Sequence, residues 1–427
     1  MKFIGCGGNR VESTNLLTVE DSIFLGLKHN SGSALELIKT SARILNASFI
    51  SNSADRFKNP KFECDWGGGA ITVINSDVSI IESIFMKNNA LTGGAIFGWL
   101  SKNITVVSCI FIENQATCAH DLSSNCTGCC HFSTCSNSTT DGNGKIRVNG
   151  GAIAAYHSKL QIHSESIFRY NRAIHGGAVY ALNATVKVSC SEFLNNSASF
   201  EGGAIDATNA VIVVNGSRVC NNTALYGGAL DVLKATLDIS RTKICGNTAS
   251  DDGGVMWADQ TVVSITESKV CDNTASDDGG VIWTKRTVVS ITESKVCNNA
   301  AYRGGAIYVL NATVYVSHSE FLNNSAGYKG GAIDATNATI AVNGSRVCNN
   351  TARYGGALGI LKASLDISKT EICDNSASSD GGVMWAYKTV VSITESKVCN
   401  NAAHRGGAMY IKKHLDTDHP NNHISYQ

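Results

Sequence analysis

The sequence predicts an all-β chain folded as a right-handed, single-stranded parallel β-helix of about 14 rungs, and three observations carry that prediction. A Gly-Gly pair followed by a small residue and a large aliphatic recurs thirteen times, nearly always at 25 or 26 residues. The pairs begin at Gly68, Gly93, Gly150, Gly176, Gly202, Gly227, Gly253, Gly279, Gly304, Gly330, Gly355, Gly381 and Gly406. Between them, short runs alternate apolar and variable residues, the period of a strand with one buried face. Each unit then closes on an Asn. A fixed period of this length marks a stacked repeat architecture.

The unit GGAIYVLNATVYVSHSEFLNNSAGYK, from Gly304, shows the elements in order. The first strand holds Ala or Val, a large aliphatic, a variable slot and another apolar residue. The variable slot contains Tyr180, Asp206, Asp231, Trp257, Trp283, Tyr308, Asp334, Gly359, Trp385 and Tyr410. A second strand such as Thr313–Val316 alternates again. The third reads Phe or an aliphatic, two variable residues, then Asn. Three such strands bury nothing alone; stacked at about 4.8 Å per rung they enclose a core and pair their backbones. A helical solenoid is excluded, because Gly, Asn, Thr and Val are poor helix formers and no unit has a long run at 3.6 periodicity. With Gly32-Ser33-Ala34-Leu35 as a degenerate first rung, the stack predicts a rod of about 65 Å.

The expected organisation is irregular N-terminal turns over 1–31, the parallel β-helix over 32–410, and a polar, disordered tail over 411–427. A Cys-rich loop interrupts the helix at 115–149, where the Gly spacing jumps to 57.

The closing Asn stands at 52, 88, 114, 171, 196, 222, 247, 273, 299, 324, 350, 375 and 401. Its side chain both donates and accepts, so copies one rung apart predict a continuous structural ladder in preference to ligand-binding amides.

The pairing of GGAI with FxxN resembles the repeats of the chlamydial polymorphic outer membrane proteins. It is carried by Gly93-Gly94-Ala95-Ile96 with Phe111-Ile112-Glu113-Asn114, and by Gly176-Gly177-Ala178-Val179 with Phe193-Leu194-Asn195-Asn196. It covers roughly residues 32 to 410, and similar repeats occur in large eukaryotic extracellular β-helix proteins. The resemblance implies a surface adhesin whose β-helical passenger is exported by a C-terminal barrel. This chain departs from it in two ways. It shows no barrel strands, ending in HLDTDHPNNHISYQ, and Val219, Ile244, Val270, Val296, Val347, Ile372 and Val398 replace the Phe. No catalytic residue carries over.

Lys plus Arg and Asp plus Glu are 35 each, so no basic face points to nucleic acid. Pro60 and Pro420 both lie outside the regular rungs. No apolar stretch reaches the length of a membrane span. Sixteen cysteines favour an oxidising compartment. So do N-x-S/T sequons at Asn46, Asn103, Asn125, Asn137, Asn183, Asn195, Asn215, Asn221, Asn311, Asn323, Asn337, Asn343 and Asn349, which are candidate glycosylation sites. MKFIGCGGNR has no apolar segment of signal-peptide length, so we expect a piece of a longer secreted protein, extracellular or on the cell surface (the outer membrane if bacterial).

The cysteines form two populations. Cys220, Cys245, Cys271, Cys297, Cys348, Cys373 and Cys399 share one slot, interrupted by Leu322. Neighbours about 4.8 Å apart fall inside the disulfide window. Side chains leaving parallel strands in one direction are poorly angled for a bridge, so thiols filling a ladder are favoured over rung-to-rung disulfides. In the insertion stand Cys118, Cys126, Cys129, Cys130 and Cys135, near His120 and His131. A disulfide-tied loop, with Cys109 as an outside partner, is favoured over zinc or no organised site.

Catalysis on such a scaffold needs carboxylates clustered at one place. The acidic pairs Asp251-Asp252 and Asp277-Asp278, with Asp380 in the same slot, precede Gly pairs; a solvated turn is favoured over a calcium site. His175-Gly176-Gly177 is in the wrong order for a Gly-His-Gly fingerprint. Duplication argues further against an active centre. TVVSITESKVC appears verbatim from Thr261, Thr287 and Thr389, and residues 176–278 recur 128 positions on with few changes. Copying spreads every surface residue over several rungs, which suits multivalent binding. The expected function is therefore an adhesive or structural β-helical protein with no cofactor, metal or catalytic residue. Its partners would be cell-surface or matrix glycans or proteins, met at exposed Tyr180, Trp257, Trp283, Tyr308 and Trp385 unless these stack on one another. The alternatives are a polysaccharide lyase or glycoside hydrolase of the pectin-lyase-like type, and the passenger fragment of an autotransporter adhesin.

Overall fold

The computed structural model describes residues 1–5, 8–29, 33–54, 67–117 and 148–412. The described chain is an all-β parallel solenoid of about 14 turns, and none of its described residues is helical. It divides into two compact units, Met1–Val213 with Asn222–Ala224, and Val214–Asn221 with the chain from Leu225 onward.

Each turn has four strands, where three were expected. In the first unit one turn comprises Val179–Leu182, Thr185–Ser189, Glu192–Leu194 and Ser197–Glu201. In the second a turn comprises Ile307–Leu310, Thr313–Ser317, Glu320–Leu322 and Ser325–Lys329. Each strand pairs in parallel with its counterpart one turn away, as Val179 does with Ile205 and Ile307 with Ile333. The fourth strand begins just after the closing Asn. In several turns it is two residues long, as at Thr248–Ala249 and Thr274–Ala275, too short to show an alternation.

The domain limits shift accordingly. Residues 1–31 were expected to be irregular. Instead Lys2–Ile4, Asn9–Glu12, Leu17–Glu20, Ile23–Leu25 and Lys28–His29 already pair in register with the following turns. They keep the strand alternation, but Leu27 stands where later turns carry the closing Asn, its backbone N–H donating to Asn52 Oδ1 at 3.1 Å. The solenoid runs to Gln115–Ala116 before the insertion, and Asn149 after it bridges in parallel to His175. Ile411 and Lys412 belong to the strand Met409–Lys412 rather than to a tail. Residues 413–427 lie outside the described residues, as do Cys118, Cys126, Cys129, Cys130, Cys135 and the sequons at Asn125 and Asn137.

Alternation places one residue in two inside, and identical inward positions stack. In the first unit the Phe of the third strand forms a column from Phe3 through Phe24, Phe49, Phe85, Phe111 and Phe168 to Phe193. Neighbouring centroids there lie 4.5–5.0 Å apart with near-parallel rings. The second unit fills the same position mainly with Val and Ile, all but one of them buried.

The closing Asn side chains form the ladder that their repetition predicts. Asn88 Nδ2 donates to Asn114 Oδ1 at 2.9 Å and to the Phe49 carbonyl at 2.9 Å, while the Asn88 backbone N–H donates to the same Asn114 oxygen at 3.0 Å. Asn324 repeats the arrangement in the second unit. These amides are 0–1% exposed over most of the chain, so each satisfies groups that would otherwise be orphaned in the interior. A parallel ladder of hydroxyls lines the corner before the third strand. Cys109 occupies one of its positions, 0% exposed, accepting from the Ser83 N–H and donating to the Val107 carbonyl. Burial pushes its thiol up to about 11. Cys109 is therefore an interior ladder thiol rather than a partner for the insertion.

The shared cysteine slot corrects a second expectation. Cys220–Cys245, Cys271–Cys297 and Cys373–Cys399 are disulfides with Cα atoms 4.6 Å apart, and Cys348, facing Leu322 in register, is a free thiol. Side chains leaving in one direction are no obstacle, because strands in register bring both Cβ atoms within bridging distance. The slot lies two residues from an exposed Lys or Arg, so by alternation it sits on the strand face opposite the core Val or Ile.

Many sequons arise from corner chemistry. Asn46, Asn183, Asn195, Asn221, Asn311, Asn323, Asn337 and Asn349 all have φ between 48° and 60°, the left-handed region that Asn tolerates. A Ser or Thr then opens or precedes the next strand. Of the described sequons, Asn46, Asn183, Asn221, Asn311, Asn323, Asn337, Asn343 and Asn349 are exposed, and Asn103, Asn195 and Asn215 half-buried.

Candidate functional site at the glycine corner

The Gly pair turns the chain from the fourth strand of one turn into the first strand of the next. Gly330 has φ +62°, and a Cβ there would lie 2.1 Å from the Ile333 carbonyl oxygen; one on Gly331 would lie 2.2 Å from that of Gly356. Backbone hand and close approach both exclude a side chain. The tight corner brings the residue before the pair against the residue five positions on. The Arg303 guanidinium lies 4.6 Å from the Tyr308 ring centroid, and that of Arg405 lies 5.1 Å from Tyr410. Repeated turn by turn, these positions make two adjacent columns along each unit.

In the first unit the columns read Asn149, His175, Glu201 and Ala154, Tyr180, Asp206, with successive members in register. Tyr180 is 2% exposed and Asp206 1%, so the slot expected to face solvent is covered. Tyr180 packs against Tyr156, which in turn packs against Phe97. Asn149 Nδ2 donates to the Tyr156 hydroxyl at 2.9 Å. His175 Nδ1 lies 2.9 Å from Glu201 Oε2 and 3.4 Å from Asp206 Oδ2. Burial disfavours a charged ring there, but hydrogen bonds and Coulomb attraction from the two carboxylates outweigh it and push His175 up to about 9.

In the second unit the columns read Tyr226, Asp252, Asp278, Arg303, Lys329, Tyr354, Asp380, Arg405 and Asp231, Trp257, Trp283, Tyr308, Asp334, Gly359, Trp385, Tyr410. Trp257 and Trp283 stack at 5.0 Å and 5°, and both are half-buried. Lys329 Nζ lies 4.1 Å from the Trp385 centroid and 5.1 Å from that of Tyr328. Arg303 grips Asp278 through two hydrogen bonds, and Arg405 grips Asp380 the same way at 2.7 Å. Asp334 is 4% exposed; burial pushes its carboxyl up to about 7 against the opposing pull of Lys329 and Arg303.

The acidic turns therefore differ from a solvated loop. Asp278 and Asp380 are 3% and 2% exposed and ion-paired, and Asp252 Oδ1 accepts the Asp278 backbone N–H at 3.1 Å. Burial, then repulsion from Asp278 and Asp251, pushes Asp252 up to about 7. Carboxylate oxygens of Asp251, Asp252 and Asp277 lie within 4.8 Å of one another. Of the expected aromatic contacts, Tyr180 and Tyr308 are buried, while Trp257, Trp283 and Trp385 remain partly open. Of the residues preceding each Gly pair, the sequence drew attention to His175, Asp252, Asp278 and Asp380, but not to Glu201, Arg303, Lys329, Tyr354 or Arg405. Alignment on the Gly pair would have shown them as one chemically diverse column within near-identical repeats.

Residues 318–336 match the Chlamydia polymorphic membrane protein repeat, over a segment that holds Phe321–Asn324 and Gly330–Ile333. No curated protein shows significant similarity to the chain. Among the described residues no helix is long and apolar enough to cross a membrane.

Proposed function

We propose that the chain is a cell-surface solenoid of the autotransporter-passenger kind that binds glycans, without catalysis, along the glycine corner of its second unit. The observation that carries this reading is the pairing of partly open aromatic faces with anchored charges there: stacked Trp257 and Trp283, Trp385 under Lys329, and the Asp278-held Arg303. Flat rings cover the apolar faces of sugars, and charged groups fixed by neighbours supply directional hydrogen bonds. Similar chemistry recurs over several turns, which fits an extended polymer and gains avidity from repetition. The matched repeat supports a surface location.

The test is a panel of neutral and acidic oligosaccharides offered to the purified chain, with Trp283→Ala and Lys329→Ala beside it. Binding by the wild type and a loss of at least about tenfold in each variant, the usual size for a contact worth over 1.4 kcal/mol, supports the reading. Absence of glycan binding sinks it. Cleavage of pectin-like or other acidic glycans, lost on mutating Asp251, Asp252, Asp277 and Asp278, would favour the enzymatic alternative instead.

A further inference from the structure

The first unit holds a cluster that the second unit has replaced. His175, Glu201 and Asp206 recur 128 positions on as Arg303, Lys329 and Asp334. The buried aspartate is common to both copies. In the later copy the two partners are organic cations, and Arg303 and Lys329 both act on Asp334. In the earlier copy one partner is a second carboxylate and the other an imidazole. With the ring neutral, this cluster carries two negative charges, a deficit that one divalent cation would neutralise.

The geometry points to a site for one first-row divalent transition ion held by His175 Nδ1, Glu201 Oε2 and Asp206 Oδ2. Metal–ligand bonds of about 2.0–2.1 Å place adjacent ligand atoms about 2.8–3.4 Å apart at octahedral or tetrahedral angles. The observed separations from His175 Nδ1 are 2.9 and 3.4 Å, and all three ligand atoms lie within 4.8 Å of one another. The side chains are pre-arranged on paired strands, His175 in register with Glu201 and Asp206 with Tyr180. Side-chain exposure falls from 24% at Glu201 to 9% at His175 and 1% at Asp206, so an ion has an entry side and a closed floor. An imidazole with two carboxylates suits Zn²⁺ or Mn²⁺; Ca²⁺ and Mg²⁺ prefer all-oxygen shells. Three protein ligands leave at least one position for water or an outside ligand. Binding exchanges the Nδ1 proton for the ion, so the competing occupant of the site is that proton.

The experiment strips the full chain with chelator and measures Mn²⁺ and Zn²⁺ uptake by equilibrium dialysis, in wild type, Glu201→Gln and His175→Gln. Both substitutions keep the side-chain volume close, and circular dichroism checks that each variant folds. The insertion carries further cysteines and histidines, so the readout is the difference from wild type, with Mn²⁺, which binds thiolates poorly, as the cleaner probe. One additional equivalent of Mn²⁺ in wild type, weakened at least about tenfold in both variants, establishes the site. Uptake that is absent, or equal in wild type and both variants, would show that the cluster holds only a proton.

Discussion

Replacing Asn324 by Leu keeps the heavy-atom count and branching of an interior ladder side chain and removes every polar atom that side chain contributes. Asn324 is 0% exposed. Its Nδ2 donates to Asn350 Oδ1 and to the Val296 carbonyl, both at 3.1 Å. Its Oδ1 accepts from the Asn299 backbone N–H at 3.1 Å and from Asn299 Nδ2 at 2.9 Å. The substitution strips all four bonds. Asn299 Nδ2 keeps its bond to Val270, and Asn350 Oδ1 still accepts from the backbone N–H of residue 324. The Asn299 N–H keeps no other hydrogen bond. An orphaned buried donor costs about 1–3 kcal/mol and each further lost bond about 1, against which the added apolar burial of Leu returns a part. The expected net loss is about 3–5 kcal/mol. Native-state hydrogen exchange reads it locally: protection of the Asn299 amide and its neighbours should fall by about 100-fold or more. Asn323→Gly, one residue away at an exposed corner with φ +57°, should change protection there by less than about threefold. A loss below about 1 kcal/mol for Asn324→Leu, or equal effects at both positions, would refute the ladder as a major source of stability.

Three other outcomes are expected. Gly330→Ala forces a Cβ to 2.1 Å from the Ile333 carbonyl oxygen in a left-handed backbone; it should destabilise the second unit by more than about 3 kcal/mol in urea unfolding, whereas Gly246→Ala, meeting only the Asn221 side chain, should cost less. Asp252 titrates near 7 when folded, above its unfolded value, so the native state holds the extra proton between about pH 4 and 7 and stability falls as pH rises through that window. Asp334, also pushed up to about 7, adds to the same fall, so Asp252→Asn should remove only the share of Asp252, stabilising by about 1–2 kcal/mol at pH 8 after allowing for solvent screening, and by nothing at pH 4 in parallel melts. Leu322→Cys stands in register with Cys348 and should form a fourth bridge in the shared slot. Mass spectrometry after alkylation would then find Cys348 blocked, and thermal unfolding should show a gain of about 2–4 kcal/mol.

The period, the interior Asn ladder and the stacking of short parallel strands were legible because each repeats identically along the chain. The fourth strand was not, since a segment such as Thr248–Ala249 is too short for alternation to register. The disulfides were misjudged from side-chain direction alone; Cα atoms 4.6 Å apart in strict register decide the matter. The glycine-corner columns were harder still. His175 and Glu201 in the first unit, and Arg303 and Lys329 in the second, differ in chemistry, so nothing but their place before a Gly pair marks them in the sequence; the register shows that each pair lies side by side. Tyr180 and Asp206 looked exposed because alternation turns them away from the core, yet the corner covers them.

The most direct test of function at the glycine corner is photo-crosslinking with a diazirine-bearing copy of whichever oligosaccharide the panel identifies, followed by peptide mapping. Adducts are expected on Trp257, Trp283, Lys329 and Trp385, the partly open residues of that corner. Adducts confined to Lys243, Lys269, Lys295 and Lys397, exposed lysines of the third strand, would contradict glycan binding at the glycine corner.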